Sequence, residues 1–397
     1  MASADVLETV ASMRLAEYRD AAAVKEVPTR NGFGEGLVEA GKRNLRFRSR
    51  LASYSDEHLR FDPRLPCGCL CCVRAEGRGL SGGGRAARSA DAPFLPRLLR
   101  GSGIACRVYR RMESLSPARV TALRERANLV RQGIVRALVS AGSGHSAGSL
   151  DMADVFAAFY GEILRHDPAR PDWEDRDRLL LSCGHIAPVR YSAMAYAGYF
   201  PVEELLTLRK FGTRLQGHPE RVRLPAVETT SGPLGEGLAQ GVGMALGAKL
   251  DEKEWRVYVV TSDAEHQCGL HWEAMMTAGK FELDNLTCVV DRNFIQIDGS
   301  TEDVMPLEPL ANKYRSFNWE VFECNGNDVA EFVAVIEKAK AVRGKPQVVI
   351  AHTVPGKGVS YMEGDYTWHG KPPNREQADE ALRQLEAERE RIVAGNG

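Results

Sequence analysis

The pattern of apolar and polar positions changes character twice along this 397-residue chain. From residue 112 onward, short β-branched apolar runs alternate with helix-period stretches. That is the pattern of a doubly wound α/β domain with a mostly parallel sheet. The clearest unit lies between Arg256 and Gly299. The run Val257-Tyr258-Val259-Val260-Thr261-Ser262 ends at Asp263, and a helix-compatible stretch covers Trp272 to Phe281. A second run, Leu286-Thr287-Cys288-Val289-Val290, then leads into Asp291-Arg292-Asn293. Strand, helix and strand in this compass predict a βαβ unit with parallel strands. Its crossover brings both strand ends to one edge of the sheet, where open α/β sheets take ligands. Asp263 and Asn293 are therefore expected to converge, offering a carboxylate and an amide oxygen. Hard oxygen ligands of this kind suit Mg²⁺ or Ca²⁺, with phosphate oxygens and water completing the shell. The same residue types also cap helices and turn chains, so the pattern alone leaves both readings open.

The other two regions have a different texture. Residues 1–46 carry helical periodicity at Ala4 to Tyr18 and again at Gly34 to Gly41. From Arg46 to Arg111 there are fourteen arginines and no lysine, with Gly82-Gly83-Gly84 and the cluster Cys67-Gly68-Cys69-Leu70-Cys71-Cys72. No period of 3.6 or 2 is sustained there. A structural zinc site needs two separated ligand couples, and only Cys106 follows nearby. Arginines without interleaved aromatics make a poor nucleic-acid surface. An irregular linker is the plainer reading.

Composition narrows the function class. With 44% hydrophobic and 26% charged residues the chain reads as a globular enzyme, long enough for one large or two medium cores. A net charge of -1 gives no whole-chain argument for nucleic acid or an anionic membrane. No apolar run approaches a membrane span, and no signal region follows the start. Nine cysteines without a secreted-domain framework point to a reducing cytoplasm.

The segment around Asp263 and Asn293 resembles the thiamine-diphosphate motif of transketolases, a G-D-G, a spacer, an N, and then I-x-I-D-G, matched here by Ile295-Gln296-Ile297-Asp298-Gly299. Further motifs occur in the family's order. They are Ser143-Gly144-His145, Ser182-Cys183-Gly184-His185 after Arg176-Asp177-Arg178, and Gln216-Gly217-His218-Pro219-Glu220. Thr230-Ser231-Gly232-Pro233-Leu234-Gly235-Glu236-Gly237, Lys357-Gly358 and Trp368-His369-Gly370 follow. The resemblance runs from about Arg111 to the C-terminus. The S-G-H, G-H-P-E and W-H-G set favours transketolase over 1-deoxyxylulose-5-phosphate synthase, which shares the fold.

The resemblance implies the following roles. Asp263, Asn293 and the carbonyl of Ile295 would hold Mg²⁺. His185, Gly232, Pro233, Leu234, Ser262, Ala264, Asn293 and His369 would contact thiamine diphosphate. His145, His218 and His369 would contact the sugar, with His145 and His369 catalytic. His266 and His271 are expected to be structural or solvent-facing. Glu273 matches an interfacial carboxylate, whereas Cys268 stands where many relatives carry a second glutamate, a loss that would interrupt a carboxylate relay or shift its protons to water and Glu265. Ser262 and Ala264 replace the family's glycines, each adding a Cβ beside the phosphates. Because Asp263 falls in a loop by pattern, Asp263→Ala is expected to abolish cofactor binding and leave the fold intact.

In the family, the glutamate facing the cofactor's pyrimidine comes from a second, pyrimidine-binding half. After the helix expected over Glu376 to Val393, this chain ends at Gly397. The expectation is an N-terminal subunit of a split transketolase, working in carbohydrate metabolism such as the pentose phosphate pathway. It would act on sugar phosphates within a hetero-oligomer such as a heterotetramer, with neither nucleic acid nor membrane as partner. A non-catalytic cofactor-binding subunit is the alternative. Pro28 to Gly41 resembles the opening of the pyrimidine-binding half, in reversed order, so residues 1–46 are expected to be a partner's reading frame joined through frameshifted or irregular sequence at 47–111. A chain starting near Met112 is accordingly expected to melt at the same temperature as the full protein and to pair equally well with its partner. A large fall in either on truncation would show that the first 111 residues are a working part.

Overall fold

A parallel strand needs a long return path, and in this protein helices supply it on both faces of the sheet. The computed structural model describes residues 115–395; the expectations for residues 1–46 and 47–111, and for 112–114, lie outside the described residues. The sheet holds β1 (Arg178–Leu181), β2 (Val257–Ser262), β3 (Leu286–Arg292), β6 (Glu320–Asn325) and β7 (Gln347–His352), in the order β1-β2-β3-β7-β6. All four pairings are parallel. A two-residue ribbon, β4 (Ile295–Gln296) with β5 (Gly299–Ser300), follows β3 and leads into the short helix α7 (Thr301–Val304).

Alternation along each strand builds two cores, because successive side chains point to opposite faces. Leu179, Leu181, Tyr258, Val260, Val289 and Val349 face one core. There they meet α1 (Pro117–Ala141), α3 (Ala153–Ala158), α4 (Ala187–Tyr196) and α9 (Val329–Ala341). Leu180, Val257, Val259, Cys288, Val290 and Val348 face the other, against α5 (Gly237–Leu250), α6 (Gly269–Lys280) and α8 (Leu310–Ser316). Every residue of β3 is buried, as a strand covered on both faces should be. The expected doubly wound α/β fold is what forms.

Helix ends follow local chemistry. Ser116 caps α1, Pro117 occupies its first position, and Gly142 closes it in a left-handed conformation. The C-terminal helix α10 (Arg375–Val393) starts with a capping box made by Asn374 and Gln377. Its buried Ala378, Ala381, Leu385 and Ile392 form one stripe, and Asn128 of α1 donates to the Leu385 carbonyl at 2.9 Å. The helix expected from Trp272 begins three residues earlier, at Gly269. No helix among the described residues is long and apolar enough to cross a membrane.

Candidate active site

The carboxyl ends of β2 and β3 lie side by side, with Ser262 in register with Asp291. This brings the sequence-predicted pair together: Asp263 Oδ2 accepts from the Phe294 amide at 2.9 Å, immediately beyond Asn293. Asp263 also caps the short 3-10 turn Ala264–Gln267 through its Oδ1, which accepts from the Ala264 amide at 2.7 Å. Metal-ligand and cap readings therefore coexist, since a carboxylate has lone pairs to spare. Asp263 is fully buried, and the guanidinium of Arg292, also fully buried, donates to its Oδ2 at 3.0 Å. Burial pushes the Asp263 carboxyl up to about 6, and Arg292 pulls against that rise.

The loop after β3 is shaped for close work. Asn293 Oδ1 accepts from the Ile295 amide, and its Nδ2 donates to both Asp151 and Asp291 at 3.0 Å each. Asp291 is also held by Thr353 Oγ1 at 2.6 Å. Phe294 adopts a φ of 61°, a costly backbone conformation for a bulky residue that persists only where its surroundings impose it. Its ring lies 3.8 Å from the Arg292 guanidinium carbon.

Mg²⁺ is the ion that the resemblance implies at this edge. Asp151, Asp263 and Asp291 are all buried around Asn293, and Asp151 Oδ1 has no hydrogen-bond partner. Burial first, then the charges of neighbouring carboxylates, raise the pKa of Asp151; Asp291 is likewise raised, chiefly by burial. Without a cation, burial favours the neutral forms of these acids; ionised together against the guanidinium of Arg292 they would carry an excess of negative charge, which a divalent cation would offset. Among the described residues no cluster of three or more His, Cys, Asp or Glu side chains is arranged to hold a metal. Coordination would thus draw on one carboxylate, one amide and one backbone carbonyl, in keeping with a hard cation that shares its shell with phosphate and water. The residues fit the ion.

Three of the four predicted histidines come together. His145 precedes α2 (Ala147–Asp151), His185 sits in the 3-10 turn Gly184–Ile186, and His369 closes the turn Tyr366–Trp368. Their ring centroids are 5.0 Å (His145–His185), 5.5 Å (His145–His369) and 5.1 Å (His185–His369) apart. Burial lowers the pKa of all three, His145 to about 4, with neighbouring rings adding to the effect on His145 and His185. The trio is neutral at physiological pH, each ring keeping one nitrogen to donate and one to accept. His145 Nδ1 and the Ser231 hydroxyl are buried without partners, as polar atoms facing a ligand would be. His218 is more exposed; a Cβ placed on Gly232 would lie 3.8 Å from its ring, so it flanks the Gly232-Pro233-Leu234 loop.

That loop is held by a residue whose part the sequence pattern does not reveal. Glu265 is buried, and its carboxylate accepts from the Gly235 amide at 2.8 Å, the Ser262 amide at 2.8 Å and the Ser182 hydroxyl. Ser182 Oγ in turn accepts from the Gly237 amide at 3.0 Å. Glu265 thus ties the end of β1, the end of β2 and the start of α5. Gly235 has a φ of 82°, and a Cβ there would lie 2.5 Å from that of Cys268, so only glycine fits. Leu234 is left 41% exposed, free to meet a ligand. Glu273 stands exposed on α6.

The sequence did not single out Asp151, Arg292 or Thr353. A full charge at the end of a buried strand was the available signal for Arg292, since such a charge must have a partner. Asp151 gave none, because its neighbours lie far along the chain.

Residues 123–392 match the family described as transketolase, thiamine diphosphate binding domain. The chain is 40% identical over 266 residues to the 6-deoxy-6-sulfo-D-fructose transketolase subunit SqwG of Clostridium sp., covering 67% of this chain and 97% of that one. It is 38% identical over 266 residues to an apulose-4-phosphate transketolase subunit from Phocaeicola vulgatus, covering 67% and 94%. Among solved structures, Campylobacter jejuni transketolase superposes with a TM-score of 0.63 at 31% identity, covering 68% of this chain and 45% of that one. The chain therefore spans less than half of that transketolase but nearly all of the subunit relatives. It belongs to the transketolase family, as a subunit built on the thiamine-diphosphate-binding domain.

Proposed function

We propose that this chain is the Mg²⁺- and thiamine-diphosphate-binding subunit of a two-subunit transketolase. With a pyrimidine-binding partner it would transfer a two-carbon ketol unit reversibly from a ketose phosphate, or a ketose with a comparable anionic tail, to an aldose phosphate. The observation that carries this reading is the excess of buried carboxylate around Asn293, set beside a trio of neutral histidines. Asp263, Asn293 and the Ile295 carbonyl would hold Mg²⁺. Ser262, Ala264, His185 and the Gly232-Pro233-Leu234 loop would hold the cofactor. When bound, thiamine diphosphate supplies the carbon centre that accepts and releases the ketol unit. The chain's own work is positional and protonic. His145 and His369, neutral and adjacent, would donate to and accept from sugar oxygens, with His218 binding the sugar nearer the entrance. Exposed Glu273 would meet the partner subunit, and cytoplasmic heterotetramers are the assembly we infer from subunit-type relatives.

The test is co-expression with the product of the neighbouring gene. Ketol transfer should need both proteins, Mg²⁺ and thiamine diphosphate, and should be absent from either protein by itself. Cofactor binding with no transfer by the mixed subunits would favour a non-catalytic subunit, a reading that Ser262, Ala264 and Cys268 keep open. A smaller effect is expected at the diphosphate loop. Ala264→Gly should tighten cofactor binding by on the order of 1 kcal/mol if the extra Cβ crowds the phosphates; calorimetric titration showing unchanged or weaker binding would mean the loop has adapted.

A further inference from the structure

Behind the Asp263 turn lies a hydrogen-bonded chain of two histidines and a tyrosine that the reaction itself does not use. His266 Nδ1 lies 2.8 Å from the Asp263 carbonyl oxygen and 3.2 Å from that of Ser262. Its Nε2 lies 2.8 Å from the Tyr314 hydroxyl, and His271 Nε2 lies 3.0 Å from the same oxygen. All three side chains are buried. A carbonyl oxygen only accepts, so His266 must carry its proton on Nδ1. Nε2 of the neutral ring then accepts, which commits the single Tyr314 proton to it. His271 has to donate from Nε2, leaving its Nδ1 a bare acceptor, and that atom is indeed buried without a partner. Donation therefore runs one way: His271 to Tyr314, Tyr314 to His266, His266 to the carbonyl of Asp263. Trp272 Nε1 pins the same turn from α6, donating to the His266 carbonyl at 2.7 Å.

The direction matters because a trans peptide points its C=O and N–H opposite ways. Holding the Asp263 carbonyl on His266 turns the Ala264 amide the other way, to the side of the Asp263 carboxylate, where it donates. We propose that the His271–Tyr314–His266 chain is a positioning device that fixes the Asp263–Ala264 peptide, so that the Ala264 amide holds the metal-binding carboxylate in place. This inference rests on the cofactor site proposed above, and it makes His266, Tyr314 and His271 positioning residues, not catalytic ones.

The test uses the full chain with nitrogen-15-labelled histidine. Long-range nitrogen–proton spectra of the metal-free protein should show His266 as the Nδ1–H tautomer and His271 as the Nε2–H tautomer. In Tyr314→Phe the His266 Nε2 and His271 Nε2 lose their link, and both signals should shift. Affinity for Mg²⁺ with thiamine diphosphate, measured by calorimetry, should fall about tenfold, the scale on which outer-shell partners tune a metal site. His271→Asn, which keeps a donor, should keep most of that affinity. Matching tautomers for the two rings, or wild-type affinity in a folded Tyr314→Phe, would overturn the proposal. Loss of all cofactor binding in the unaltered protein would instead strike the proposed function and leave the tautomer result standing.

Discussion

Asp263→Ala is expected to abolish binding of thiamine diphosphate with Mg²⁺, raising the dissociation constant by about 100-fold or more, on the order of 2.7 kcal/mol. The structure adds a second consequence that the sequence pattern does not show. Asp263 is no loop residue at the surface: it and Arg292 form a fully buried ion pair. Removing one partner of a buried pair costs about 3–5 kcal/mol where the other charge is stranded, but Arg292 keeps Glu302 and Glu308. The loss should be smaller, on the order of 2 kcal/mol, with the Ala264 and Phe294 amides left without an acceptor. The variant should therefore melt below the parent. Two measurements separate the effects. Asp263→Ala combined with Arg292→Leu should recover part of the lost stability, because no guanidinium is left buried beside the vacated carboxylate, yet binding should stay absent. Arg292 also reaches Glu302 and Glu308 at 2.8 Å each, and these more exposed carboxylates can turn to water once it is gone. Parent-like cofactor affinity in the single variant would remove Asp263 from the site.

Glu265→Gln should be nearly as damaging although it changes one atom. Both carboxylate oxygens accept from backbone amides, Gly235 on one side and Ser262 on the other. A glutamine must turn its NH₂ towards one of these donors, so one buried amide loses its acceptor. A hydrogen bond to a charged group contributes about 1.5–3 kcal/mol, and an unsatisfied buried donor costs about 1–3 kcal/mol. We expect a loss of about 2–4 kcal/mol in denaturant melts. Gly235 follows Leu234 directly, so the loop that would face the cofactor should loosen too. Hydrogen exchange of the Gly235, Gly237 and Ser262 amides should quicken. An unchanged melt with all three amides still protected would show that the staple carries no weight.

Much of this architecture could be read from local pattern. Strand runs such as Val257 to Ser262 and Leu286 to Arg292 are continuous and β-branched, and the helices between them carry their own start and stop signals. Both depend on residues near in sequence, so composition and periodicity reveal them. The convergence of Asp263 and Asn293 was also legible, because two strands joined by a βαβ crossover run parallel and end at one edge. The gathering of His145, His185 and His369 came from motif resemblance alone. No local rule could bring residues so far apart in the chain to ring contact.

Tertiary structure decided the chemistry around those residues. A sequence gives a residue its type but not its desolvation, and burial is what raises Asp263 and lowers His145. It also gives no list of partners. Arg292 on Asp263, Asp151 on Asn293, Glu265 on Gly235 and Tyr314 between His266 and His271 are pairings across the sheet and its helices. Each follows from a buried polar group having to find a partner wherever the fold supplies one. The sequence by itself determined the strands, the helices and the edge at which a ligand would sit. Only packing determined which carboxyl groups lost their water, and hence where a cation would be needed to keep them charged.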